Sequence, residues 1–200
     1  MNKKVKSIVL LSCITLSIAL LSCISKVQAY SWETNTDIDF NNKLSQGKDI
    51  AYYVVSGNQY TVSIPQAVSK LRYPSGMWNP IVLTKTTVQS QSKMDLYQYS
   101  KADGKNAYTQ VWQKNSSGSA YNATSYMESQ DWLYGKIYIN DNYMDDYDND
   151  LRSTVILHEM LHVYGCKDIN SSSSVMYGAT PHVRVLTSDA NQVLVNKYNY

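Results

Sequence analysis

Two histidines and a glutamate stand together in the chain as His158-Glu159-Met160-Leu161-His162. On a helix, side chains four residues apart lie one above the other, so these two imidazoles share a face and can grip a single ion. Glu159 lies about 100° round from His158, turned out of that shell yet able to reach a water at the ion. The chemistry of such a set is metal-assisted hydrolysis: Zn²⁺ polarises a water, and the neighbouring carboxylate takes its proton as the water attacks a peptide carbonyl. The chain has 200 residues, three of them His and three Glu. In such a composition chance produces the five-residue pattern about seven times in ten thousand.

A catalytic zinc generally takes three protein ligands. No Glu follows Glu159, which leaves Asp168, Asp189 and His182 as donors on the C-terminal side. Asp168 comes six residues after His162 with Gly165 between them, and a glycine at positive φ can end the helix and turn the chain back beneath the metal. Requiring that glycine and an Asp or His ligand lowers the chance figure to about two in a million. His182 follows Pro181 in a loop and has no motif spacing; a third ligand in place of Asp168, a pocket residue and an exposed loop residue are the readings open to it. Cys166 adjoins the turn and reads as a buried, inert thiol rather than a ligand.

The elements that must carry these residues follow from pattern and punctuation. Residues 151–168 lack a breaker from Val155 to Tyr164; acidic and Asn residues at 145–150 offer an N-terminal cap, Gly165 gives the stop, and a helix of roughly three turns is expected. Upstream, Ile50 to Val55 reads as a strand. Ile64, Ala67, Val68 and Leu71 read as a helix with Pro65 in its first turn. Pro80 to Thr87, Met94 to Tyr99, Ala107 to Trp112 and Gly135 to Asn140 read as further strands. Thr187-Ser188-Asp189 opens a closing helix with Val193, Leu194 and Val195. The layout is α+β with a mixed sheet, in one domain over residues 30–200, without internal repeats.

The run His158-Glu159-x-x-His162-x-x-Gly165-x-x-Asp168 resembles the signature of the metzincin zinc proteases, in the Asp variant of small secreted bacterial enzymes of the snapalysin type. Ser174-Val175-Met176-Tyr177-Gly178 resembles the Met-turn of the same clan, and the closing helix is similar to that of the matrixin branch. The resemblance runs from about Gly135 to the end, and residues 30–130 match in outline only. It implies a twisted mixed sheet with an active-site helix, a Met-turn and a C-terminal helix. It further implies Zn²⁺ on His158, His162 and Asp168, Glu159 as general base, and Met176 as support beneath the metal. Lys136 to Asn140 would be an edge strand on which a protein or peptide substrate lies, with Met176 to Arg184 walling the pocket beyond the scissile bond. Two departures matter: Asp168 is a harder, anionic ligand where the usual last ligand is His, and Tyr177 follows Met176 one position too early to be the metal-binding tyrosine of astacins. Metzincins often carry structural Ca²⁺. Oxygen donors are dense over Asp145 to Asp150, but that stretch lacks the Gly and final Glu of an EF-hand loop and also suits a helix N-terminus.

Residues 1–29 read as an export signal, with Lys3, Lys4 and Lys6 before the apolar stretch Ile8 to Ile24 and a small-residue cleavage site at Val27-Gln28-Ala29. Leu20-Leu21-Ser22-Cys23 loosely resembles a lipoprotein box, giving an alternative in which Cys23 carries a lipid anchor. Removing the signal takes away four of 18 basic residues and none of 16 acidic ones, so the formal charge passes from +2 to −2. A weakly acidic surface gives no counterion-release drive toward nucleic acid. Cys166 is then the single thiol, so no intramolecular disulfide forms and the fold rests on its core. The 18 tyrosines read as a half-wet sheet face. The expectation is a secreted, monomeric zinc endopeptidase with no stable membrane insertion. The rival is a secreted zinc-binding module or adhesin without hydrolysis.

Overall fold

A computed structural model describes residues Asn35 to Tyr200; the expected export signal and Cys23 lie outside the described residues. The strands are β1 (Asp49–Val54), β2 (Val82–Lys85), β3 (Met94–Tyr99), β4 (Ala107–Lys114), β5 (Ala120–Asn122) and β6 (Tyr134–Asn140). The helices are α1 (Ser63–Arg72), α2 (Asp141–Met144), α3 (Asn149–Tyr164) and α4 (Ser188–Tyr198). The α+β layout holds. No helix of the described residues is long and apolar enough to cross a membrane.

The six strands form one mixed sheet in the order β2-β1-β3-β6-β4-β5. β2, β1, β3 and β6 run parallel, and β4 runs antiparallel to both β6 and β5. The expectation that Lys136 to Asn140 is an edge strand is therefore corrected: β6 pairs with β3 on one side and β4 on the other. Strand order is set by pairings distant in sequence, which alternation within one strand does not encode. β4 takes the outer place, and its far half is covered by the short β5, which was not foreseen.

α1 packs on α3, and α3 lies across β4 and β6. The sheet residues turned to this layer, among them Met94, Leu96, Val111, Ile137 and Ile139, are buried, and each such side chain stabilises the fold by roughly 1.5–3 kcal/mol. Contact between α3 and β6 is close at Gly135, where a Cβ would stand 2.5 Å from Val163 Cγ2. The opposite face carries the tyrosines: Tyr138 stacks on Tyr97 and Tyr108 at 5.1 and 4.7 Å between ring centroids. Lys136 Nζ lies 4.1 Å from the Trp112 ring centroid. These rings spend their faces on one another, as a half-wet sheet face requires.

α3 is longer than expected, with 16 residues, 11 of them buried. Its added N-terminal part is stabilised by Asp148, whose carboxylate accepts from Leu151 N at 2.7 Å, and by Lys70, which bonds Asp150 from α1 at 2.8 Å. The acidic stretch thus works as a cap and a tether for the helix.

Candidate metal centre

The last turns of α3 carry the histidines. Their rings are 4.7 Å apart between centroids and nearly perpendicular. Each Nδ1 faces a main-chain carbonyl: His158 Nδ1 is 2.8 Å from Val175 O, and His162 Nδ1 is 2.9 Å from Cys166 O. A carbonyl only accepts, so both Nδ1 atoms carry hydrogen and both rings turn Nε2 the other way. There Asp168 meets them, its Oδ1 2.9 Å from His158 Nε2 and 3.4 Å from His162 Nε2.

Two imidazole nitrogens and a carboxylate oxygen in contact make three acceptors in one place. They need either a shared proton or a cation between them. In the metal-free chain the proton serves: burial pulls the His162 imidazole down, but the charge and hydrogen bond of Asp168 outweigh it and push the group up to about 9. For Asp168, burial raises the carboxyl while the facing histidines prevail and hold it well below the usual carboxylate range. The donor set of two nitrogens and one oxygen, with both rings fixed by outer hydrogen bonds, fits Zn²⁺. His158, Glu159 and His162 also offer one ligand atom each within 4.8 Å of one another.

Local folding explains why the set converges. Gly165 closes α3 in the left-handed region at φ +104°, donating to His162 O, while Cys166 N reaches back to Leu161 O at 3.0 Å. The next carbonyls find partners in Trp132 Nε1 for Val163 and the Tyr198 hydroxyl for Tyr164. With its terminal carbonyls engaged, the helix end is held firmly where His162 projects. A Cβ on residue 165 would meet Asn42 O at 2.9 Å. Cys166 is buried and its thiol is pushed up by that burial; its contribution is the carbonyl on His162.

Beyond the turn, Ile169 N bonds Met176 O at 2.9 Å, which pins the residue after Asp168 to the methionine turn. That turn is built on Ser174, whose Oγ accepts from Met176 N at 3.1 Å. Val175 N bonds the Thr187 hydroxyl just ahead of α4, and Val175 O is the carbonyl on His158. Met176 is buried. A segment from the start of the described chain closes the other side of the ligand loop. Phe40 N bonds Gly165 O, Lys167 N bonds Ile38 O and Asn170 N bonds Asn35 O, at 3.0, 2.7 and 2.9 Å. Asn35 Nδ2 reaches Asp168 O at 2.6 Å, and buried Lys167 pairs with Asp37 and Glu128.

His182 is exposed, with its ring 5.6 Å from that of Tyr177, and it is not part of the group His158, Glu159 and His162. Glu159 is buried and meets a residue that sequence reasoning passed over: Thr109 Oγ1 on β4 is 2.7 Å from Glu159 Oε2 and 2.9 Å from Glu159 O. The outer edge of β4 is half closed. Val111 N bonds Thr124 Oγ1 and Val111 O accepts from Ala123 N. Main-chain groups alternate along an antiparallel strand, so those of Thr109 and Ala107 face the same outer side; no other segment of the described residues bonds them there. No protein-family model and no curated protein matches this chain.

Proposed function

We propose that the chain is a zinc endopeptidase of the metzincin type, acting outside the cytoplasm. The observation that carries the reading is the convergence of His158 Nε2, His162 Nε2 and Asp168 Oδ1 beside the Glu159 carboxylate, with both imidazoles oriented by main-chain carbonyls. Zn²⁺ held by His158, His162 and Asp168 would supply a Lewis acid that polarises water and the peptide carbonyl. Glu159 takes a proton from the attacking water and delivers it to the leaving amine. An extended substrate adds to the sheet by main-chain hydrogen bonds along the open half of β4, at Ala107 and Thr109, in place of the strand Lys136 to Asn140.

The test is Glu159→Ala beside the parent protein, both loaded with zinc and offered a denatured protein and a quenched peptide. The variant should keep one zinc per chain and lose cleavage. A parent that binds zinc and cleaves neither substrate would leave the zinc-binding module as the better reading, and equal cleavage by both would sink the role of Glu159.

A further inference from the structure

We infer that Thr109 is a positioning residue that fixes which oxygen of Glu159 works as the base and ties that oxygen to the register of the bound peptide. The inference rests on the hydrolase reading and adds to it a residue fifty positions upstream, on another element.

A glutamate has three side-chain torsions and in isolation samples many rotamers. Here the Thr109 hydroxyl lies within hydrogen-bond distance of both Oε2 and the main-chain oxygen of the same residue. Its single hydrogen is shared between these two acceptors in a three-centre bond, which holds the end of the Glu159 side chain at a set distance from its own helix backbone. Threonine suits this task because branching at Cβ restricts χ1 and keeps Oγ1 from swinging away. With Oε2 engaged, Oε1, which bonds no described residue, is the oxygen left to receive a proton.

Position 109 has a second connection. Its side chain points inward to α3 while its N–H and C=O face the open edge of β4, by the alternation that Val111 establishes. A peptide strand paired there would be hydrogen-bonded to the very residue that holds the base. Placement of the scissile bond and placement of the carboxylate then share one anchor, as efficient proton transfer requires.

Thr109→Val removes the hydroxyl at nearly constant shape, and Thr109→Ser keeps it. Both are compared with the parent, zinc-loaded, for zinc content, for kcat and KM on a quenched peptide, and for the Glu159 rotamer in crystal structures. The valine variant should hold one zinc per chain, keep KM within about twofold and lose roughly tenfold to hundredfold in kcat. Serine should restore most of that loss. In the crystals Oε2 should remain bonded to residue 109 in the parent and the serine variant and leave that position in the valine variant. A valine variant with parental kcat, or with Glu159 in the parental rotamer, overturns the inference. Should valine prevent folding, Thr109→Ala gives the same readouts without the extra methyl. A parent protein as inactive as Glu159→Ala defeats the hydrolase reading, while the rotamer comparison still decides whether Thr109 holds the carboxylate.

Discussion

Stripping the protein of divalent metal and raising the pH from about 6.5 to 9 should destabilise it, while its affinity for zinc rises over the same interval. The reason lies in the His162–Asp168 pair. Burial alone would lower the His162 imidazole, but Asp168 prevails and carries it from 6.5 to about 9. A folded-state value raised in this way means that the folded chain binds the proton more tightly than the unfolded chain. The stabilisation is fully present below about 6.5, declines through the interval and is gone above about 9. At about 1.4 kcal/mol for each tenfold gain in proton affinity, a rise from 6.5 to about 9 corresponds to roughly 3 kcal/mol. Asp168, held below its ordinary 3.8, adds a contribution of opposite slope that is present above about that pH and lost in acid. The metal-free protein should therefore be most stable between about pH 4 and 6.5. Zinc must displace the His162 proton, so its affinity should climb by up to about tenfold per pH unit until near 9 and then level off. Urea unfolding in chelator at constant ionic strength, at several pH values across this range, measures the first effect, and competition with a chromogenic chelator measures the second. Asp168→Asn isolates the pair from other titrating groups and should remove most of the decline. A metal-free protein whose stability is flat or rising from 6.5 to 9, or an Asn variant with the parental slope, would refute the pairing.

Asp168→Ala should bring zinc content well below one ion per chain, whereas His182→Ala should leave it unchanged; inductively coupled plasma analysis of the dialysed proteins decides between the two donors. Gly165→Ala places a side chain at φ +104° and 2.9 Å from Asn42 O, so the backbone strain alone should cost roughly 1–3 kcal/mol in a denaturation curve. The same variant should bind zinc some tenfold to hundredfold more weakly in the chelator competition, because the turn delivers the Cys166 carbonyl to His162.

The parts of the centre that could be read from sequence are those fixed by short-range geometry. His158 and His162 share a face because of helical periodicity, and Asp168 returns to them because Gly165 permits one particular turn. The groups that orient the rings were not legible, because Val175 and Cys166 act through carbonyls that every residue possesses. Thr109 escaped for another reason: nothing about a threonine in an alternating strand shows that α3 crosses it at Glu159. The edge strand was misplaced on similar grounds. Gly135 to Asn140 has the alternation of a strand on either an edge or an interior site, and only its ladders with β3 and β4 decide. The beginning of α3 depends in part on a distant residue, Lys70 on α1, whereas its adjacent cap, Asp148, belongs to the acidic stretch expected to supply one.

The strap from Asn35 to Phe40 lies against residues 165–170, more than 120 positions later in the chain. The strap must therefore wait for its partners, which are made only after the whole sheet and α3. Closing so wide a loop is slow on entropic grounds. The ligand-bearing bend should accordingly mature late, after the sheet and α3 have assembled, and zinc present during refolding should speed the final phase by trapping the bend as soon as it forms.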